Sequence, residues 1–149
     1  MWIEKEYSQN YKDCPAQGLR LKFYNDFSDA QKSSLKEFCN FLRKKYFFPI
    51  RVYMLLCNTQ KFKDPDDGHL YSGIFYDNGD CRRKTYPRIC VAAHFDNENQ
   101  FLDVCYTIAH ELTHYFQWYF LEDEKRSGRS LEIEANKWAD YLTGEYFAK

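Results

Sequence analysis

Between Asn99 and Leu121 the chain runs for 23 residues without a proline or a glycine. At 100° per residue, Phe101, Val104, Cys105, Ile108, Leu112, Tyr115, Phe116 and Tyr119 fall on one broad apolar stripe. That pattern predicts a long helix with one face on a sheet. His110 and His114 fall on the opposite side, with Asp103, Gln117 and Leu121. Core-filling histidines would lie on the stripe, so this pair is expected to face a cleft. Only four histidines occur in the chain, and these two stand in His110-Glu111-Leu112-Thr113-His114, the pattern H-E-x-x-H. Positions i and i+4 share a helix face, so two imidazoles can converge on one zinc ion at about 2.0–2.1 Å. Glu111 projects beside them. It can reach a metal-bound water without displacing it, as a general base must.

A site of this kind needs a third protein ligand and an open position. The next helical pattern starts at Ser130, read as its cap, with Glu132 in its first turn. Taking Leu131, Ala135, Trp138 and Leu142 as its buried stripe places Glu134 among them. A buried carboxylate needs compensation, which a metal would supply, so Glu134 is the expected third ligand. Glu132 and Asp140 are then expected on the polar face. If the zinc were structural, a fourth protein ligand such as Asp103 or a cysteine would close the site.

These motifs resemble those of the gluzincin metallopeptidases, in which a glutamate on a second helix joins the two histidines. Nineteen residues separate His114 from Glu134, the thermolysin-like interval, although Trp138 stands where that pattern has Asp. A fuller likeness is to the ImmA/IrrE-type family of small phage and bacterial metallopeptidases. Its P-x-I-x-V, A-H-E-x-x-H and E-A-N-x-x-A patterns correspond to residues 87–91, 109–114 and 134–139, and the resemblance spans about residues 70–145. It implies a zincin-like α+β fold, Zn2+ between the last two helices on His110, His114 and Glu134, and catalysis of peptide hydrolysis by Glu111.

The rest of the chain accommodates one such domain over residues 1–149. Leu19–Tyr24 alternates as a half-buried strand, and Ser28 or Asp29 starts a helix that runs to about Tyr46, before Pro49. Ile50–Cys57 is apolar enough for a strand covered on both faces, and residues 58–69 read as a loop. Leu70–Tyr76 and Arg88–Phe95 are further strands, with Asn78-Gly79 as a hairpin signal between them. Asn97 and Gln100 resemble a capping box ahead of the metal helix. Residues 1–18 carry no periodicity and stay unassigned. A peptide substrate is expected to add as an extended strand to the edge of 88–94.

With 21 basic and 22 acidic residues, the formal net charge is −1. That argues against electrostatic binding to nucleic acid or to a membrane. No apolar run reads as a signal peptide or a span, so a cytoplasmic protein with six reduced thiols is expected. The basic cluster Arg82-Arg83-Lys84 reads as a solvated loop. Tyr106, Tyr141 and His94 are candidates for lining the cleft and stabilising an oxyanion. The competing function is a zinc-containing regulatory or binding module without proteolysis.

Overall fold

A computed structural model of the chain describes residues 1–11, 16–77, 86–121 and 125–148. Strand β1 (Leu19–Tyr24) leads through helix α1 (Asp29–Lys45) to β2 (Val52–Cys57). Short strands β3 (Phe62–Lys63) and β4 (Leu70–Tyr71) follow, then β5 (Gly73–Tyr76), β6 (Arg88–Ala92), α2 (Glu98–Tyr119) and α3 (Gly128–Phe147). The expected α+β class holds: a small mixed sheet packs on helices. Its order is β1-β2-β6-β5, with β1, β2 and β6 parallel and β5 antiparallel on the edge.

Register decides which side chains share a face. Leu21, Met54, Ile89 and Phe75 form one row across the sheet; Phe23, Leu56, Val91 and Gly73 form the next. These rows meet apolar residues of all three helices in one core, including Leu35 and Phe38 of α1, Ile108 and Leu112 of α2, and Leu142 of α3. The β2 strand is not covered equally on its two faces. Val52, Met54 and Leu56 are fully buried, while Tyr53, Leu55 and Cys57 are half-buried. No helix is needed on that second face, because cations cover part of it: Lys22 lies over the Tyr53 ring at 4.9 Å and Arg88 over Tyr76 at 4.5 Å.

Two expected boundaries shift for local reasons. The run 70–76 breaks at Ser72: β4 pairs with β3 inside the expected 58–69 loop, and β5 joins the main sheet. Helix α3 begins three residues early because Ser127, not Ser130, caps it; the Ser127 hydroxyl accepts from the Ser130 N–H at 3.1 Å. In α1 Ser28 and Gln31 form a reciprocal capping box. At α2, Asn97 caps the helix, while the Gln100 side chain accepts from the Asp96 N–H instead of closing the box on Asn97. The Asn78-Gly79 turn and the Arg82-Arg83-Lys84 cluster lie outside the described residues. So do Cys14 and Cys81. Cys39, Cys57, Cys90 and Cys105 are unpaired, and burial pushes the Cys39 thiol up to about 12. No helix among the described residues is long and apolar enough to cross a membrane.

The N-terminal segment, unreadable from periodicity, is built into the core. Its 3-10 helix (Lys5–Tyr11) follows a buried Trp2-Ile3 pair. Trp2 is 4% exposed and packs on Tyr46, Phe48, Phe116 and Trp138. Its indole N–H donates to the Thr113 hydroxyl at 3.0 Å, inside the H-E-x-x-H turn. Trp2→Ala therefore opens a cavity beneath that turn and is expected to cost roughly 3–5 kcal/mol. Chemical denaturation would measure it. An unchanged midpoint would mean that the segment contributes nothing to the fold.

Candidate metal centre

Helix α2 presents its histidine pair at one end of a cleft of about 730 Å³, lined by α2, α3 and β5. The two Nε2 atoms stand 3.2 Å apart. The carboxylate that meets them is Glu132, not Glu134. Glu132 Oε2 lies 3.0 Å from His110 Nε2, and its Oε1 lies 3.0 Å from His114 Nε2.

Helix phase explains this placement. The buried side of α3 is Ala135, Ala139, Leu142, Thr143 and Tyr146. Glu132, three residues before Ala135 and seven before Ala139, lies on that side. Small alanines let α3 approach α2 closely, so the glutamate one turn ahead reaches the imidazoles. Leu131 and Trp138, on which the sequence reading centred the stripe, flank this face rather than define it. Glu134 projects from the edge of the face. Its Oε1 accepts from Arg126 at 2.7 Å and from Gln117 Nε2 at 2.9 Å. Burial raises its pKa, but those hydrogen bonds and the Arg126 charge outweigh burial and hold the carboxyl below its ordinary value.

Glu111 is buried, with Oε2 3.8 Å from His110 Nε2. Burial pushes its carboxyl up to about 7, against a backbone hydrogen bond from Phe75 and the attraction of His114. Gly73 makes this approach of strand and helix possible. A Cβ there would stand 2.6 Å from Thr107 Cγ2 and 3.0 Å from Glu111 Cγ. Burial, then the neighbouring His114, holds His110 below its ordinary value. His110 Nδ1 is buried without a hydrogen-bond partner among the described residues.

The donor set fits zinc. Ligands at 2.0–2.1 Å in tetrahedral array are separated by about 3.3 Å. The two imidazole nitrogens stand 3.2 Å apart, and each has a different oxygen of the Glu132 carboxylate at 3.0 Å, close to that edge. Glu111 Oε2 stands farther from His110 Nε2, at 3.8 Å. His110, Glu111 and His114 keep their ligating atoms within 4.8 Å of one another.

No protein-family model, curated protein or solved structure matches this chain.

The other candidates are less central. The Tyr106 ring stacks toward His110 at 6.4 Å, but its hydroxyl donates to Asn136 Oδ1 at 3.1 Å. Tyr141 is 57% exposed and touches Trp138, away from the cleft. His94 lies in a separate groove with Asp103, bonded to Asn58 and Asp96, so neither His94 nor Asp103 lines this cleft. Strand 88–94 is not an edge either: β6 has β2 on one side and β5 on the other. The edge that borders the cleft is β5.

Sequence reasoning put Glu132 on the polar face, with Asp140, as a ligand to consider only if Glu134 failed, and gave Gln117 no role. The signal for Glu132 was present in the small-residue spacing Glu132, Ala135, Ala139. Gln117 was placed on the histidine side, but nothing local told that α3 would bury it.

Proposed function

We propose that this chain is a zinc-dependent metallopeptidase that cleaves a flexible segment of a protein or peptide. The observation that carries the reading is the convergence of His110, His114 and Glu132 at ligand spacing beside a buried Glu111. His110, His114 and Glu132 would hold the ion. A zinc ion bound there supplies Lewis acidity and a water of lowered pKa.

Glu111 acts as the proton carrier. Its buried carboxylate, 3.8 Å from His110 Nε2, stands where it can accept a proton from the attacking water and return it to the leaving amine. The Phe75 N–H fixes the Glu111 carboxylate against β5. Substrate lies along β5. The Ala92 N–H bonds the Ser72 carbonyl, so Ser72, Ile74 and Tyr76 turn their main-chain groups toward β6. Gly73 turns both its main-chain groups, and Phe75 its carbonyl, toward the edge that no strand among the described residues covers, where an extended peptide can pair; the Phe75 N–H is taken by Glu111. A folded segment cannot adopt that pairing, which is why the substrate is a flexible one.

Elemental analysis after zinc loading and dialysis is expected to find one zinc per chain. The loaded protein is expected to cleave an unfolded protein substrate, with cleavage lost to a chelator and restored by zinc. Absence of stoichiometric zinc overturns the centre. Stoichiometric zinc without cleavage of any unfolded substrate leaves the zinc-containing binding module as the better reading.

A further inference from the structure

Behind His114 runs a chain of hydrogen bonds that the catalytic reading does not use. Gln117 is 2% exposed, and its Oε1 lies 2.7 Å from His114 Nδ1. Its Nε2 lies 2.9 Å from Glu134 Oε1 and 2.9 Å from the Leu131 carbonyl. Both of those partners are acceptors only, so the amide nitrogen must face them. The oxygen is thereby turned to His114 and can only accept. Nδ1 must then carry the proton, leaving the Nε2 lone pair directed at the cleft. Arg126, from the connection before α3, clamps the far end. It donates to Glu134 Oε1 at 2.7 Å and to the Ser130 carbonyl and hydroxyl at 3.0 Å each.

We infer that Gln117, held by Glu134 and Arg126, is a positioning residue that fixes His114 as its Nδ1–H tautomer and presents Nε2 to a metal ion. The inference rests on the zinc reading for its purpose, though not for its geometry. It gives Glu134 a different role from that of a ligand. Glu134 determines which end of the Gln117 amide faces the imidazole. The same chain ties α3 to α2 through the buried Gln117 and the half-buried Glu134, so Glu132 and His114 are held in one register.

The test separates the two readings. In the metal-free chain, nitrogen-detected NMR of labelled histidine, above the imidazole titration range, is expected to show His114 as the Nδ1–H tautomer. Gln117→Leu removes the acceptor and is expected to shift the ring toward Nε2–H. Its zinc affinity is expected to fall roughly 10–100-fold, as for other groups that orient a ligand. Glu134→Gln preserves an acceptor for both Gln117 and Arg126 and is expected to keep the tautomer. Glu134→Leu frees the amide to turn and is expected to shift the tautomer part-way; it serves if Gln117→Leu does not fold. A folded Gln117→Leu with the parent's tautomer overturns the inference, as does a parent whose His114 is Nε2–H. A tautomer shift in a chain that never binds zinc retains the hydrogen-bond chain and discards the metal.

Discussion

Glu132→Ala is expected to abolish stoichiometric zinc binding, while Glu134→Ala retains it in weakened form. The two carboxylates are two residues apart on α3, about 200° around the helix, so they cannot serve the same point. Glu132 alone meets both Nε2 atoms. Losing it leaves two imidazoles as the only protein ligands, and the affinity should fall by well over the roughly 10–100-fold typical of a group that merely orients a ligand. Glu134→Ala removes a partner of Gln117 and Arg126, so its cost should stay within that smaller range. Competition with a zinc-binding dye measures both. Equal losses in the two variants, or a larger loss at Glu134, would return the third ligand to Glu134. Circular dichroism distinguishes a lost ligand from a lost fold. Glu132 has a 57% exposed side chain, so its removal should leave the helix packing intact.

The difference between these two glutamates also marks the limit of what was legible in the sequence. The histidine pair was readable because i and i+4 place two side chains on one face of any helix, whatever surrounds it. The third ligand depends on how α3 is rotated against α2. Its apolar residues read as one stripe through Leu131, Ala135, Trp138 and Leu142, whereas the buried side runs through Ala135, Ala139, Leu142, Thr143 and Tyr146. Large residues dominate a hydrophobicity pattern, yet the small ones permit closest approach, and the structure buries Ala135 and Ala139 completely. Strand β1 and helices α1 and α2 were legible because each carries its own period, and β2 because it is a short, nearly continuous apolar run. The edge position of β5 was not, since strand order is a matter of long-range pairing. The turn of the chain at Ser72 separates β4 from β5 within what reads as a single apolar run. Trp2 was illegible for the same reason: its partners Tyr46, Phe116 and Trp138 are all distant in sequence.

Glu111→Gln should uncouple the metal from the chemistry. The amide has nearly the shape of the carboxylate and its oxygen still accepts from the Phe75 N–H, so β5 stays in place over α2. It is not required as a ligand: its Oε2 stands 3.8 Å from His110 Nε2, beyond the 3.0 Å that separates each imidazole from Glu132. Zinc content and affinity are therefore expected to match the parent. What the amide cannot do is take a proton. Removing a general base costs about 10²–10⁴ in rate, and on the proposed reading the loss should fall on kcat rather than on KM, because the β5 edge is left unchanged. The comparison with Glu132→Ala is the decisive one. Both variants are expected to be inactive, one with a full complement of zinc and the other without it. If Glu111→Gln hydrolyses an unfolded substrate at the parent's rate, the proton carrier is another group, and the buried carboxyl beside Gly73 serves packing alone. If it loses zinc along with activity, Glu111 is itself a ligand, the three groups of H-E-x-x-H close on the ion together, and the site has no room left for a catalytic water.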